Sequence, residues 1–219
     1  MSTTRSHFQA EMETFRAGLV EMASLALRQV ERAVAAWDDV DAGAAEGVRV
    51  DDDLVDQRCV ELDQKIFSIQ LLEAPVAADQ RLLHVGLIAV VALERVGDLA
   101  VAIAEMAQAV RPEGEVPRVQ SLITRMSARA VNALAESVQA IARGDAELGE
   151  QARASADEVH EMLLELLAEV AQAPDEPATR AWSAAAVLVG RHLERVANNG
   201  RELGGRVRFL VSGEAFTRK

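Results

Sequence analysis

Apolar residues recur every three or four positions along most of the chain, which is the spacing of one face of a helix. This pattern predicts six helices, separated by short breaks that contain Pro, Gly or Asp. We expect Asp41, Asp79 and Asp145 to cap the second, third and fifth helices, because an Asp side chain accepts hydrogen bonds from the free amide groups at a helix start. The predicted helices cover about residues 7–39, 42–74, 80–110, 116–142, 146–173 and 177–203 or beyond.

An internal repeat divides these helices into two halves. Leu93-Glu94-Arg95-Val96 recurs 100 positions later as Leu193-Glu194-Arg195-Val196. Earlier in each half the offset is 104, as between Asp41 and Asp145, and a four-residue difference in one connection explains the change. Three antiparallel helices bury their apolar stripes as a bundle. We therefore predict an all-α protein of two tandem, pseudo-twofold-related three-helix bundles, residues 1–112 and 113–219.

The composition and charge of the chain limit the classes of protein to which it can belong. Half of the residues are hydrophobic and only 3% are aromatic, so the apolar faces consist mainly of Ala, Val and Leu. The net charge of −12 argues against nucleic-acid binding, which requires Lys and Arg to neutralise phosphates. The single Cys59 allows no intrachain disulfide, and neither a secretory signal nor a run of about 20 apolar residues is visible. We expect a cytoplasmic protein, at most peripheral to a membrane through its partners.

Two pairs of acidic residues are the main candidates for chemistry. Asp52 and Asp56 lie four residues apart on the second predicted helix, and Glu94 and Asp98 have the same spacing on the third. Side chains at this spacing share one face of a helix. If the two helices face each other, four carboxylates gather at one place, and such oxygens are the ligands that hard cations prefer. The alternative is a solvated acidic face, with Arg58 and Arg95 as ion-pair partners.

The second half keeps only part of this set. Asp52 and Asp56 correspond to Ala156 and His160, while Asp98 corresponds to Asn198. His160, Glu194 and Asn198, with the neighbouring Asp157, therefore form a weaker candidate site for a softer metal. Gly97 corresponds to Ala197, which predicts a close contact between helices at this point and not a turn.

Other potentially reactive residues have simpler interpretations. His84 lies in an apolar run and is expected to be a core residue, and Cys59 is expected to be a small buried hydrophobic residue. The chain contains no Gly-rich phosphate loop, no HExxH motif and no nucleophile elbow. The sequence thus predicts a binding protein and not an enzyme.

Several segments together resemble the PhoU family, the accessory proteins of phosphate-specific transport. Leu93-Glu94-Arg95-Val96-Gly97-Asp98 is similar to the family's Glu-Arg-Ile-Gly-Asp signature. The other similar segments are the connection into the third helix, the second copy of the signature and the C-terminal end, at residues 71–82, 190–196 and 209–214.

The resemblance implies multinuclear metal clusters on one face of the two bundles. Family members bind the metals through an acidic residue, three spacers and then Asp, a pattern that Asp52 with Asp56 and Glu94 with Asp98 satisfy. The expected cofactors are divalent or trivalent ions of iron, zinc, manganese or magnesium. The resemblance also implies a negative regulator of phosphate uptake and of the phosphate regulon. Its partners are the ATPase subunit of the phosphate transporter and a sensor histidine kinase.

Two alternatives remain open beside this reading. In the first, the same four acids are ligands of a carboxylate-ligated metalloenzyme, a hydrolase or an oxidase that uses a metal-bound water. In the second, the chain is a helical scaffold without metal. The helical faces that such bundles expose also favour a homodimer.

Overall fold

Six α-helices account for most of the chain in a computed structural model, which describes residues 2–39, 41–110 and 112–214. A short 3₁₀ turn, Pro112–Gly114, joins the two halves, and the described ranges contain no β-strand. The predicted all-α fold is confirmed. The helices are α1 (Ser2–Asp38), α2 (Ala42–Glu73), α3 (Ala78–Ala109), α4 (Pro117–Arg143), α5 (Ala146–Val170) and α6 (Pro177–Ser212).

The helices pack as two bundles that share a core. α1, α2 and α3 pack against one another, and so do α4, α5 and α6. Across the junction, α3 lies against α6 and α1 lies against α4, so repeat-related helices meet as an approximate twofold axis requires. Buried apolar side chains from both bundles form one continuous cluster. The exact domain boundary between residues 112 and 113 stays a prediction, and Arg111 lies outside the described residues.

Two of the three predicted Asp caps are confirmed, and they are equivalent. Asp41 Oδ1 accepts hydrogen bonds from the amides of Gly43 and Ala44, at 2.8 and 3.1 Å. Asp145 Oδ1 does the same for the two equivalent amides of α5, both at 3.1 Å. The amides of the two Asp residues themselves donate to Ala36 and Ala140, at 3.0 and 2.9 Å. The offset of 104 read from the sequence therefore holds for the backbone, and it extends back into α1 and α4.

The predicted cap at Asp79 is wrong. α3 begins at Ala78, its N-cap residue is Ala77, and no side chain provides a cap hydrogen bond. Ala77 has a positive φ of 47°, and the Asp79 amide donates to the Val76 carbonyl at 3.1 Å. Backbone hydrogen bonding alone therefore closes the connection before α3. Asp79 lies in the first turn of α3, where its negative charge interacts favourably with the positive end of the helix dipole. The first helix also begins earlier than predicted, at Ser2.

Aromatic and arginine side chains tie the bundles together at the junction. The rings of Trp37 and Trp182 lie 5.5 Å apart, and the Trp37 indole nitrogen donates to Gln120 Oε1 at 2.9 Å. Arg81, in the first turns of α3, donates from Nε to the Leu210 carbonyl at 3.0 Å. This contact satisfies one of the carbonyl groups that the end of α6 leaves without a helical partner. No described helix combines the length and the apolar character needed to cross a membrane.

Candidate metal centre

The four acids of the first repeat lie where α2 and α3 face each other. Asp52 and Glu94 are half-buried, while Asp56 and Asp98 are exposed. Each pair occupies one face of its helix, as the four-residue spacing predicts.

Burial and mutual repulsion perturb the more enclosed acid on α2. The pKa of Asp52 is raised, first by burial and further by the charges of Asp56, Asp98 and Asp53. A hydrogen bond from Gln29 opposes this shift. Carboxylates from both helices therefore influence the same group.

The half-buried acid on α3 shows the same behaviour. The pKa of Glu94 is raised by burial, then by the charges of Asp98 and Asp56, while Arg95 opposes the change. Asp52 contributes a smaller effect of the same sign. The structure thus brings all four predicted acids within electrostatic reach of one another.

The arginines that the sequence offered as ion-pair partners do not neutralise these acids. Arg58 binds Glu21 and Glu61 instead, at 2.7 and 2.8 Å. Arg95 is exposed and forms no salt bridge with Glu94 or with any other described residue. Asp52, Asp56, Glu94 and Asp98 accordingly have no salt bridge to a basic side chain of the described residues.

A buried glutamine from α1 completes the floor of this site. Gln29 is only 1% exposed, and its Nε2 donates to Asp52 Oδ1 at 2.9 Å. The same nitrogen lies 3.3 and 3.4 Å from the carbonyl groups of Val48 and Gly97. Gln29 Oε1 is buried and has no hydrogen-bond partner among the described residues. A buried acceptor without a partner is uncommon in native proteins and points to a water or an ion.

Gly97 provides the space for these oxygen atoms. A Cβ atom at this position would lie 2.4 Å from Asp52 Oδ1 and 3.2 Å from Gln29 Oε1. The prediction of a close helix contact at Gly97 is therefore confirmed. In the second repeat, Ala197 carries the methyl group that Gly97 omits.

The donor atoms suit a hard cation, although the side chains do not surround one. Carboxylate oxygens and an amide oxygen are the ligands that such ions select. Across the described ranges, no three His, Cys, Asp or Glu side chains lie close enough together to hold a metal ion as they stand. A bound cation would have to draw these side chains together, and the metal role of Asp52, Asp56, Glu94 and Asp98 stays a prediction.

The equivalent place in the second repeat has a different construction. Glu194 is buried, and His160 Nδ1 lies 2.7 Å from its Oε1. Arg191 contacts the other carboxylate oxygen, Oε2. The nearby Asp157 binds Arg201 at 3.0 Å. The structure brings His160 and Glu194 together as a hydrogen-bonded pair, and the same carboxylate also contacts an arginine.

The structure also locates three further residues that the sequence analysis singled out. Asn198, the third residue of the weaker candidate site, is exposed on α6. The prediction that His84 is a core residue is wrong, because its side chain lies on the exposed face of α3. Its ring is 6.0 Å from the ring of Phe209. Cys59 is partly buried and packs against the core, and burial raises its pKa.

Sequence reasoning missed Gln29 and Arg191. Gln29 was detectable as a polar residue on the apolar stripe of α1, between Ala26, Val30 and Ala33. Arg191 was detectable as the residue that replaces Val91 at the repeat offset of 100. In both cases the contact depends on how the helices are rotated, which apolar spacing alone does not fix.

A duplicated three-helix bundle with acids between its second and third helices defines a class of small all-helical proteins. The sequence profile of the PhoU domain matches residues 19–107 and again residues 123–207. This chain belongs to the PhoU family.

Curated relatives and solved structures agree with this assignment. The chain is 31% identical to the phosphate-specific transport system accessory protein PhoU homolog of Pseudomonas aeruginosa, covering 94% of this chain and 86% of that protein. It is 29% identical to PhoU homolog 1 of Mycobacterium leprae, covering 95% and 94%. The crystal structure of PhoU from Pseudomonas aeruginosa has a TM-score of 0.86 at 30% identity, covering 94% of this chain and all of that one. The Streptococcus pneumoniae phosphate transport system regulatory protein PhoU has a TM-score of 0.87 at 18% identity, which supports the fold alone.

Proposed function

We propose that this chain restrains phosphate uptake and the phosphate regulon in the cytoplasm. It acts as a cation-binding helical adaptor between the ATPase subunit of a phosphate transporter and a sensor histidine kinase. The observation that carries the proposal is the match of both repeats to the PhoU domain. The relatives described above are named as accessory proteins of phosphate-specific transport, and those names are not the names of enzymes.

The first repeat supplies the cation site in this proposal. Asp52, Asp56, Glu94 and Asp98 would hold the ion, and Gln29 Oε1 offers a neutral oxygen beside them. A bound cation supplies positive charge between α2 and α3, where four carboxylates otherwise repel one another. The consequence is a fixed relative position of these two helices, and therefore of the surface that they present.

The outer face of α2 offers a test of partner contact. The end of α2 and the connection after it expose four large apolar side chains, each between 66 and 74% accessible: Phe67, Leu71, Leu72 and Val76. Exposed apolar groups of this size are the first place to look for a protein contact. The second repeat offers a matched control in two exposed leucines of α5, Leu164 and Leu167.

A reporter of phosphate starvation tests the regulatory role directly. Deletion of the gene is expected to raise reporter expression in phosphate-rich medium, and the natural chain is expected to restore repression. Asp52→Asn combined with Glu94→Gln and Asp98→Asn should restore it poorly if the cation matters. Glu158→Gln with Glu161→Gln and Glu165→Gln removes the same charge from α5 and serves as the control. Unchanged reporter expression after deletion would contradict the proposal.

Co-purification tests the adaptor role. The natural chain should retain both the transporter ATPase and the histidine kinase on an affinity column. Phe67→Ser with Leu71→Ser is compared with Leu164→Ser and Leu167→Ser. Loss in the first variant alone would locate a contact on α2, and retention of neither partner by the natural chain would contradict the adaptor role.

A further inference from the structure

The second repeat carries its own positive charges at the place where the first repeat gathers acids. The helix α5 follows α2 at an offset of 104, and α6 follows α3 at an offset of 100. The first repeat has only acidic and apolar side chains at the three positions that become basic in the second. In the second repeat, His160, Arg191 and Arg201 stand where the first repeat has Asp56, Val91 and Val101.

These basic residues use both oxygen atoms of the one deeply buried acid. The Glu194 side chain is 5% exposed, so its charge needs compensation inside the protein. His160 Nδ1 lies 2.7 Å from Oε1, and the Arg191 guanidinium contacts Oε2. Hydrogen bonds to an ionised carboxylate are short and comparatively strong. A metal ion that approached Glu194 would meet the positive charge of Arg191 and would compete with both partners for the carboxylate oxygens.

The other potential ligands of this place are also committed or chemically unsuited. Asp157 binds Arg201 at 3.0 Å. Ala156 and Asn198 replace the acids Asp52 and Asp98 and leave at most one neutral amide oxygen. The methyl group of Ala197 fills the space that Gly97 leaves open for Asp52 and Gln29 in the first repeat.

We propose that Arg191, together with the hydrogen bond between His160 and Glu194, performs in the second repeat the role that a cation performs in the first, so that the second repeat binds no metal. The residues predicted as a weaker site, His160, Glu194 and Asn198, do not fit a metal ion. On this proposal only the first repeat has a cation site, and the second repeat has a network of charged and hydrogen-bonded side chains in its place. Cation binding in the first repeat rests on the proposed function, but the absence of a second site does not.

Metal uptake by the full chain tests this inference. Chelator-treated protein is dialysed against iron(II), zinc(II), manganese(II) and magnesium(II) separately, and bound metal is measured by mass spectrometry. The variant Asp52→Asn with Glu94→Gln and Asp98→Asn should lose all bound metal. Metal that this variant retains, and that the further change Glu194→Gln removes, would overturn the inference. If the natural chain itself binds none of these ions, the proposed cation site fails and the inference about the second repeat stands.

A variant designed to gain metal binding in the second repeat tests the same inference from the opposite direction. His160→Asp, Arg191→Val, Asn198→Asp and Arg201→Val are introduced together into the variant that lacks the first-repeat acids. This combination restores the first-repeat residue types and leaves Ala156 in place, because Ala197 blocks an acid there. The expected result is renewed metal uptake in a protein whose helical circular dichroism is unchanged. If this variant folds and takes up no metal, basic residues are not what excludes the ion, and the inference is overturned.

Thermal unfolding in the presence of chelator tests whether Arg191 stabilises the folded protein through its contact with Glu194. Arg191→Val should lower Tm by about 2–4 °C, because the buried acid keeps His160 and loses an arginine that is partly exposed and screened by water. Arg195→Val is the matched control, since it removes the same charge one residue beyond Glu194 on α6, where no contact with Glu194 exists. The double variant Arg191→Val with Glu194→Gln should lose less than the sum of the two single changes. Equal effects of the two arginine variants would contradict the role of Arg191.

Discussion

Asp52 is distinguished from the other acids of the chain by what surrounds it. One amide nitrogen donates to it, three neighbouring carboxylates raise its pKa, and within the part of the chain that the structure describes no basic side chain forms a salt bridge with it. Many exposed acids of the chain, by contrast, have an arginine or lysine within 4 Å, as Glu105 has Arg49 at 2.7 Å. The charge of Asp52 therefore destabilises the metal-free protein and stabilises the protein once a cation is bound.

Replacement of Asp52 by Asn should have opposite effects in the two states. In chelator, Asp52→Asn should stabilise the protein by about 0.5 kcal/mol, because it removes like-charge repulsion and keeps an oxygen that accepts from Gln29. In the presence of manganese(II), the same change should remove metal-dependent stabilisation. Urea unfolding under both conditions measures the difference, with Asp63→Asn, an exposed acid further along α2, as control. An identical effect with and without metal would contradict the role given to Asp52.

The ion pair between α1 and α2 gives a prediction about pH. Glu11 accepts a hydrogen bond from Lys65 at 2.5 Å, and this contact lowers the pKa of Glu11 below its ordinary value of 4.5. The folded chain thus binds this proton less tightly than the unfolded chain does. The stabilisation is present above pH 4.5 and is lost as pH falls through the lower folded value.

Removal of the lysine should therefore matter only where Glu11 is charged. Lys65→Met is expected to cost about 0.2–1 kcal/mol at pH 7, because the pair is partly exposed and screened by water. The cost should disappear in acid, and it should shrink in 1 M salt, where screening shortens to about 3 Å. Urea unfolding across pH measures it. A cost that persists in acid would show that Lys65 stabilises the protein through its alkyl chain.

Residue types near helix starts were predictable from the sequence, whereas contacts between helices were not. Asp41 and Asp145 act on amides two and three positions away, so their role follows from local chemistry. Gln29 and Arg191 act across helices, and their importance depends on helix rotation and rotamer. The four acids of the first repeat could be named because the repeat and the four-residue spacing singled them out. Their ligation of a metal stays a prediction.

At the scale of the helix, the three Asp residues provide a matched set. Asp41→Ala and Asp145→Ala should each destabilise the protein by about 0.5–2 kcal/mol, because each change leaves two amides without an acceptor. Asp79→Ala should cost less, about 0.3–1 kcal/mol, since this residue only interacts with the helix dipole. Thermal or urea unfolding ranks the three variants. A loss for Asp79→Ala equal to the other two would show that Asp79 caps α3 in solution.

Helix positions were predictable to within a few residues, with the largest error at α1. Pro and Gly marked most of the breaks, and Gly144 ends α4 with the positive φ of 67° that favours glycine. The start of α3 was misplaced because two alanines, Ala74 and Ala77, adopt positive φ in the connection. Alanine gives no sequence signal for that conformation. The early start of α1 was missed because its first residues lack the apolar spacing on which the prediction depended.

At the scale of the molecule, the continuous core predicts that the two repeats unfold together. α3 and α6 bury part of their apolar surface against each other, so neither bundle keeps a complete core alone. Amide hydrogen exchange should give buried amides of α2 and α5 the same opening free energy. Gln120→Ala leaves the Trp37 indole without its acceptor and should lower both values by about 1–3 kcal/mol. A selective loss in one repeat would contradict a shared unfolding unit.

The contact between Trp37 and Trp182 has a practical consequence. These are the only two tryptophans of the chain, and it contains no tyrosine. Light absorbed near 295 nm is therefore taken up at a single place, the seam where one bundle meets the other. Any ligand or partner that tilts the bundles against each other should change the emission colour and exciton signal of this ring pair. The fluorescence of this tryptophan pair therefore reports on the angle between the two bundles without an added label.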